Sequence, residues 1–285
     1  MRCIGTFSYS RSHPDRGGEM GIAEANMVGV AAGLARTGFK PILHSFGVFA
    51  SRRCFDQVFL SAGYGGNDMT ILGSDPGVCA SFNGGTHMPF EDMALYRAIP
   101  GSTVLEVTDT VMLSDIMRKI TQRKGVKYIR VGRKSNALVY AQGSGFDIGK
   151  AICLREGSDV TLIASGIMVH QALQAALALE KEGVSAGVLD MFTVKPLDVQ
   201  AVIDAAGKTG AIVTCENHNR IGGLTEAVAS ALAMNRPAVM EYVAVEDRFG
   251  EVGPQDYLQE ALGLTAACIA RKAKAALGRK NALGA

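Results

Sequence analysis

Apolar positions follow two alternating rhythms along this chain. Short, nearly continuous apolar runs occur at Lys40 to Phe46, Met69 to Gly73, Ser102 to Val107 and Val126 to Val131. Runs of that length and character predict strands buried on both faces. Between them the spacing lengthens to a helical period. It predicts helices from Ala23 to about Thr37, from a cap at Ser51 to about Ala62, from Glu91 to Arg97, and from Asp109 to about Gln122. Gly38 supplies the stop signal of the first helix. Residues 134–157 are more polar, contain Gln142-Gly143-Ser144-Gly145, and read as a linker. The alternation then restarts. Strands are expected at Asp159 to Ala164, Ser185 to Asp190, Ala211 to Cys215 and Ala238 to Val243, and helices at Met168 to Glu182, Leu197 to Ala206, Gly223 to Met234 and across 258–278. The predicted architecture is α/β: two consecutive domains, 1–140 and 146–285, with mainly parallel sheets flanked by helices.

Two stretches carry more than periodicity. In the first helix Ala23, Met27, Val30, Ala31 and Leu34 recur at helical spacing, and Gly29 and Gly33 would let another element approach closely. Glu24 is a carboxylate at the start of this small, apolar helix. It is either a partner of the helix dipole or a group held for chemistry, and spacing alone favours the dipole. The second stretch is the glycine-rich loop from Ser74 to Pro89, with Asn83-Gly84-Gly85-Thr86-His87. A long loop after a strand in an alternating α/β pattern is the expected place for a ligand.

Composition narrows the classes. The chain has 285 residues, 48% of them hydrophobic, enough for a sizeable core. Its 29 basic and 27 acidic residues give a net charge of +2, so no single-sign field points to nucleic acid or a membrane surface. The stretch from Met1 to Arg16 has no apolar signal core, and no apolar run approaches the ~20 residues of a membrane span, so a cytoplasmic protein is expected. Six cysteines (Cys3, Cys54, Cys79, Cys153, Cys215, Cys268) are scattered singly, which predicts free buried thiols and no metal site.

Several motifs in order resemble one family. Gly21-Ile22-Ala23-Glu24, Ala32-Gly33-Leu34-Ala35, Gly38-Phe39-Lys40-Pro41, Phe46-Gly47-Val48-Phe49 and Gly85-Thr86-His87-Met88-Pro89-Phe90-Glu91-Asp92 resemble the pyrimidine-binding domain of transketolases. Glu216-Asn217-His218-Asn219-Arg220-Ile221-Gly222-Gly223-Leu224 resembles the transketolase C-terminal domain. The resemblance runs from about residue 13 to 275. No Gly-Asp-Gly followed by a metal-ligand Asn, the signature of the diphosphate-binding domain, is present in the sequence. The chain therefore resembles the C-terminal section of a split transketolase. This implies a ketol-transferring enzyme active only with an N-terminal, diphosphate-binding partner subunit. It also implies thiamine diphosphate, Mg²⁺ held by the partner, sugar phosphate substrates, and a dimer of this chain within a heterotetramer.

The resemblance assigns roles to residues. Glu24 matches the catalytic glutamate that bonds to N1′ of the cofactor's aminopyrimidine, where burial would favour a proton-carrying carboxyl. Phe46 and Phe49 match the aromatic positions that hold that ring, or are core residues at i and i+3. His44 could face the cofactor from the same strand. His87 matches the substrate-contacting histidine. Arg133 matches a phosphate-binding arginine, with Arg130 a second candidate nearby and a solvated basic loop with Lys134 as the alternative. Glu216, His218 and Gly222-Gly223 read as structural or interface residues.

Two departures from the family pattern stand out. Asn83 stands where an aspartate is usual and Asp75 where a histidine is, both where donor hydroxyls would lie, which implies a donor other than xylulose 5-phosphate. Related sections also carry about 35 more residues before the His13-Pro14-Asp15-Arg16 turn, the size of a βαβ segment. Their absence predicts a sheet that is either incomplete or completed differently, with an exposed apolar edge. Rival readings are an enzyme like 1-deoxyxylulose 5-phosphate synthase, a 2-oxo acid dehydrogenase β subunit, and a catalytically silent structural or regulatory subunit. Thr86 to Asp92 followed by Arg97 favours transketolase over the two enzymes.

Overall fold

The computed structural model describes residues 11–133 and 137–284. Cys3, Lys134, the opening of the first predicted domain and part of the predicted linker lie outside them. His13 closes the expected turn, accepting from the amides of Arg16 and Gly17.

The first half runs α1 (Glu24–Arg36), β1 (Ile42–Phe46) and α2 (Gly47–Ser51). A composite helix follows, 3₁₀ over Arg52–Cys54 and π-helical over Val58–Tyr64. Then come β2 (Met69–Ser74), α3 (Asp92–Ala98), β3 (Thr103–Glu106), α4 (Thr110–Ile120) and β4 (Val126–Val131). The second half contributes β5 (Ile152–Arg155), β6 (Val160–Ala164), α5 (Met168–Lys181), β7 (Ala186–Asp190), β8 (Thr193–Lys195), α6 (Val199–Thr209), β9 (Ala211–Asn219), α7 (Leu224–Asn235), β10 (Val239–Val245), α8 (Gln255–Ala261) and α9 (Ala266–Gly284).

Two five-stranded sheets result, ordered β1-β2-β4-β3-β8 and β10-β9-β6-β7-β5. All pairings are parallel except β3 with β8 and β5 with β7. Strand alternation explains why both faces are apolar. In β4, Val126 and Tyr128 join the core under α1 and α3, whereas Ile129 and Val131 join the core under α4. In β6, Leu162 packs with α5 and α9, and Ile163 with α6 and α7.

Four expectations change. β5 lies inside the predicted linker; it is a short edge strand with an exposed Cys153, too polar to register as buried. β8 belongs by sequence to the second half, yet it pairs antiparallel with β3, Val104 with Lys195 and Leu105 with Thr193. Ser51 does not start a helix: it is buried and its hydroxyl donates to Gly47 O, because the helix already begins at Gly47. The buried side of α1 is Glu24, Val28, Ala31 and Ala32, so Val30 and Leu34 of the predicted stripe are 41% and 43% exposed. Gly29 and Gly33 share that outer side, and among the described residues nothing beyond the helix's own backbone and the adjoining residues comes within 4 Å of a Cβ built on either.

β1 is the edge of the first sheet among the described residues, with Ile42 exposed on it and Phe39 exposed shortly before it. Of the described cysteines, Cys54, Cys79 and Cys215 are buried. Among the described residues no helix is long and apolar enough to cross a membrane.

Candidate active site

The C-terminal end of β1 and the N-terminal end of α1 meet at Glu24. Its side chain is 2% exposed and does not cap its own helix. Ser45, on the β1 face turned towards α1, donates to Oε1 at 2.9 Å, and Arg53 Nη1 pairs with Oε2 at 2.9 Å. Arg53 is placed by the turn that follows α2, and its guanidinium lies 3.8 Å from the centre of the Phe49 ring.

Three of the sequence candidates converge beside this pair. Phe46 and Phe49 meet edge to face at 6.1 Å, and His87 stands 5.6 Å from Phe46 and 5.2 Å from Phe49, again edge to face. His87 Nδ1 shares a 2.9 Å hydrogen bond with Thr86 Oγ1. Arg133 lies over Phe46 at 5.2 Å and pairs with Asp75 Oδ2 at 2.9 Å. The cluster is therefore a carboxylate, two aromatic faces, an imidazole and a guanidinium, supplied by α1, β1, α2, the loop after β2 and the end of β4. A flat heteroaromatic ring finds stacking surface and a carboxyl group here.

The second half of the chain shapes the loop that carries His87. Asn217 accepts from Val78 N at 3.0 Å and donates to Pro76 O at 2.8 Å. Gly77 adopts φ +49, and a Cβ there would lie 2.2 Å from Asn217 Oδ1, so only glycine fits. Asp75 and Ser81 hold left-handed backbone angles without being glycine, and such strain concentrates at functional loops.

Other candidates lie elsewhere. Arg130 is fully buried, and all three guanidinium nitrogens are taken: Nε by Asp92 at 3.0 Å, Nη1 by Glu106 at 2.7 Å, and Nη2 by Pro89 O and Asn217 O. A substrate phosphate has no access to it, so its role is structural, which corrects the sequence expectation. Asn83 is exposed at the end of its 3₁₀ turn, and no hydrogen bond or ring contact joins it to the cluster. His44 is half-buried with neither ring nitrogen hydrogen-bonded, and burial lowers its pKa to about 4.

Glu216 is buried and accepts from the amides of Leu224 and Thr225, capping α7. His218 is enclosed beside Asp92, its Nε2 3.8 Å from Asp92 Oδ1. Ser45, Arg53 and Asn217 went unassigned in the sequence. Arg53 left a signal as a basic residue four after Phe49, and Asn217 as part of the Glu216-Asn217-His218 motif; Ser45 left none.

Comparison with known proteins places the fold in a family. The family model for the transketolase pyrimidine-binding domain matches residues 5–137, and that for the transketolase C-terminal domain matches 149–269. A Clostridium sp. (strain MSTE9) protein named 6-deoxy-6-sulfo-D-fructose transketolase subunit SqwH is 49% identical over 273 residues, 96% of this chain and 85% of that protein. Human transketolase is 36% identical over 93% of this chain, which spans 43% of the human protein. A solved structure titled as a split gene transketolase, inactive β4 tetramer, superposes with a TM-score of 0.90 at 37% identity, covering 98% of this chain and 89% of that one. The chain belongs to the transketolase family and spans that family's pyrimidine-binding and C-terminal domains.

Proposed function

We propose that this chain is the C-terminal subunit of a heteromeric transketolase, transferring a two-carbon ketol group between sugars. Transketolases depend in general on thiamine diphosphate, which when bound supplies a nucleophilic carbon and an electron sink for breaking a ketose C2–C3 bond. The observation that carries the reading is Glu24: a carboxyl group buried at a helix start, fixed from both sides by Ser45 and Arg53, and set beside Phe46, Phe49 and His87.

Each residue then has a task. Glu24 exchanges a proton at N1′ of the aminopyrimidine. Phe46 and Phe49 hold the ring by stacking and exclude water from it. Arg53 holds both Glu24 and the Phe49 face, tying proton position to ring position. His87 hydrogen-bonds the sugar near the reacting carbon, and Arg133 receives the donor's anionic end. Diphosphate and Mg²⁺ are assigned to an N-terminal partner subunit. The bare outer side of α1, with Gly29, Val30, Gly33 and Leu34, together with Phe39 and Ile42, supports a surface that another chain covers. The solved split-gene relative is described as an inactive β4 tetramer, which supports inactivity of this chain alone.

The test is co-purification with the diphosphate-binding subunit, followed by a ketol-transfer assay with and without thiamine diphosphate and Mg²⁺. Turnover only in the complete mixture is expected. A stable complex that turns over no ketose would favour the silent-subunit reading. Turnover of pyruvate in place of ketoses would move the chain to the other enzyme classes.

A further inference from the structure

Arg52 and Arg53 follow α2, Arg133 follows β4, and each faces a carboxylate. Arg52 pairs with Glu91 at 2.7 Å, Arg53 with Glu24 at 2.9 Å and Arg133 with Asp75 at 2.9 Å. The third pair differs from the others in its geometry. The Arg133 side chain is 31% exposed, with its guanidinium over the Phe46 ring, so it borders the cluster and meets solvent. Its partner Asp75 is 1% exposed and sits at φ 58, a conformation that side-chain-bearing residues rarely adopt. The Asp75 amide is fixed to Val131 O at 3.1 Å, so β4 sets the position of both residues. A carboxylate held under strain at this spot offsets much of the arginine's charge. It leaves the planar donor group of the guanidinium in place.

We infer that Asp75 determines donor specificity: paired with Arg133, it gives the donor site a hydrogen-bonding but nearly charge-balanced end. Such an end takes a ketose that terminates in a monoanion such as a sulfonate in preference to a phosphate ester. The inference rests on the functional reading above, in which Arg133 receives the donor's anionic end. Sulfonate and phosphate both present three oxygens in a tetrahedral array, so a guanidinium binds them alike. Charge separates them. A phosphate monoester carries about −1.5 to −2 near neutral pH, with a second ionisation near 6, whereas a sulfonate keeps a single charge. The second phosphate charge would lie against Asp75 in a partly desolvated site and be repelled.

Asp75→Asn keeps the size of the side chain, removes its charge and tolerates the left-handed backbone. The experiment compares the assembled wild-type and variant enzymes on fructose 6-phosphate and 6-deoxy-6-sulfofructose. Wild type should favour the sulfonate. The variant should raise the phosphate-to-sulfonate ratio of kcat/KM about tenfold, through KM with kcat little changed. Lowering the pH from about 7.5 to about 5.5, across the second phosphate ionisation, should raise the ratio in wild type and leave it nearly flat in the variant. A ratio unmoved by substitution and by pH overturns the inference while ketol transfer stands. Turnover of neither sugar would defeat the functional reading instead, and calorimetric titration of the complex with the same two sugars then decides. There the Kd ratio should shift by the same factor, and an unchanged ratio, or no binding by either, overturns the inference.

Discussion

Arg130 and Arg53 each pair with a glutamate that is 2% exposed, yet the Arg130 side chain is fully enclosed whereas that of Arg53 is 40% exposed. Around Arg130 lie Glu106, Asp92, Tyr128 and Asn217, with Ser165 donating to Glu106 at 2.6 Å, so the first and second halves close on one another through charge. Around Arg53 lie Glu24, Phe49 and, beyond the ring, His87, and that side opens outward. The same ion pair therefore has two uses. Where every guanidinium nitrogen is engaged inside the protein, the pair specifies how the halves dock. Where one side faces an opening, it holds a carboxyl group ready for something that arrives.

The comparison predicts a division between loss of function and loss of stability. The largest effect is expected from Glu24→Gln. Turnover of the assembled enzyme should fall by roughly 10³-fold, while the thermal midpoint and co-purification with the partner stay unchanged. A variant with wild-type turnover would remove Glu24 from the chemistry. Arg130→Met should do the reverse. Removing one member of a buried charge network leaves Asp92 and Glu106 uncompensated, costing about 3–5 kcal/mol. Urea unfolding measures this, and a loss below about 1 kcal/mol would show that the network adds little. Arg53→Met lies between the two. It should raise the concentration of thiamine diphosphate needed for half-maximal activity about tenfold, with a small change in unfolding midpoint. A large stability loss would place Arg53 with Arg130.

The smallest effect is a change of slope. Burial raises the pKa of Glu216 from 4.5 to about 7 and that of Asp190 from 3.8 to about 7. The folded chain thus retains protons there that the unfolded chain releases. The stability these groups contribute is complete below about pH 4 and is lost as pH rises through about 7. His218, lowered from 6.5 to about 4 by burial, acts oppositely: the unfolded chain binds the extra proton, so its contribution grows as pH rises from about 4 to 6.5. Glu216→Gln should therefore make the slope of stability against pH between 4.5 and 7 more positive than in wild type. Urea midpoints across that window test it, and an unchanged slope would show that Glu216 titrates alike in both states.

Much of this was legible in the sequence because the physics is local. The alternation of strands and helices follows from burial on both faces, and α1 was foreseen within a residue at each end because its small residues and Gly38 mark it. Glu24, Phe46, Phe49 and His87 could be grouped from motifs before any contact was visible. What escaped depends on distant partners. Arg130 reads in the sequence as a second phosphate-ligand candidate after Arg133, because a basic residue at a strand end resembles one. Its buried acceptors come from Asp92, Glu106 and Asn217, as far as 87 residues away. Val30 and Leu34 were expected inside because helical period shows that a face is apolar, not what covers it. β5 was hidden by its polar, half-exposed pattern, and β8, three residues long, has no period at all.

β8 also sets rules for anyone who divides or recombines the protein. The composition minimum near residue 145 invites a cut there, but a fragment ending at that point would lack Thr193–Lys195 and leave β3 as a bare edge. Exposed edges of that kind recruit other chains and favour aggregation. A first-half fragment intended to stay monomeric should retain or replace those three residues. A crossover after Lys195 keeps β3 and β8 from one parent but divides the second sheet at the β6–β9 pairing.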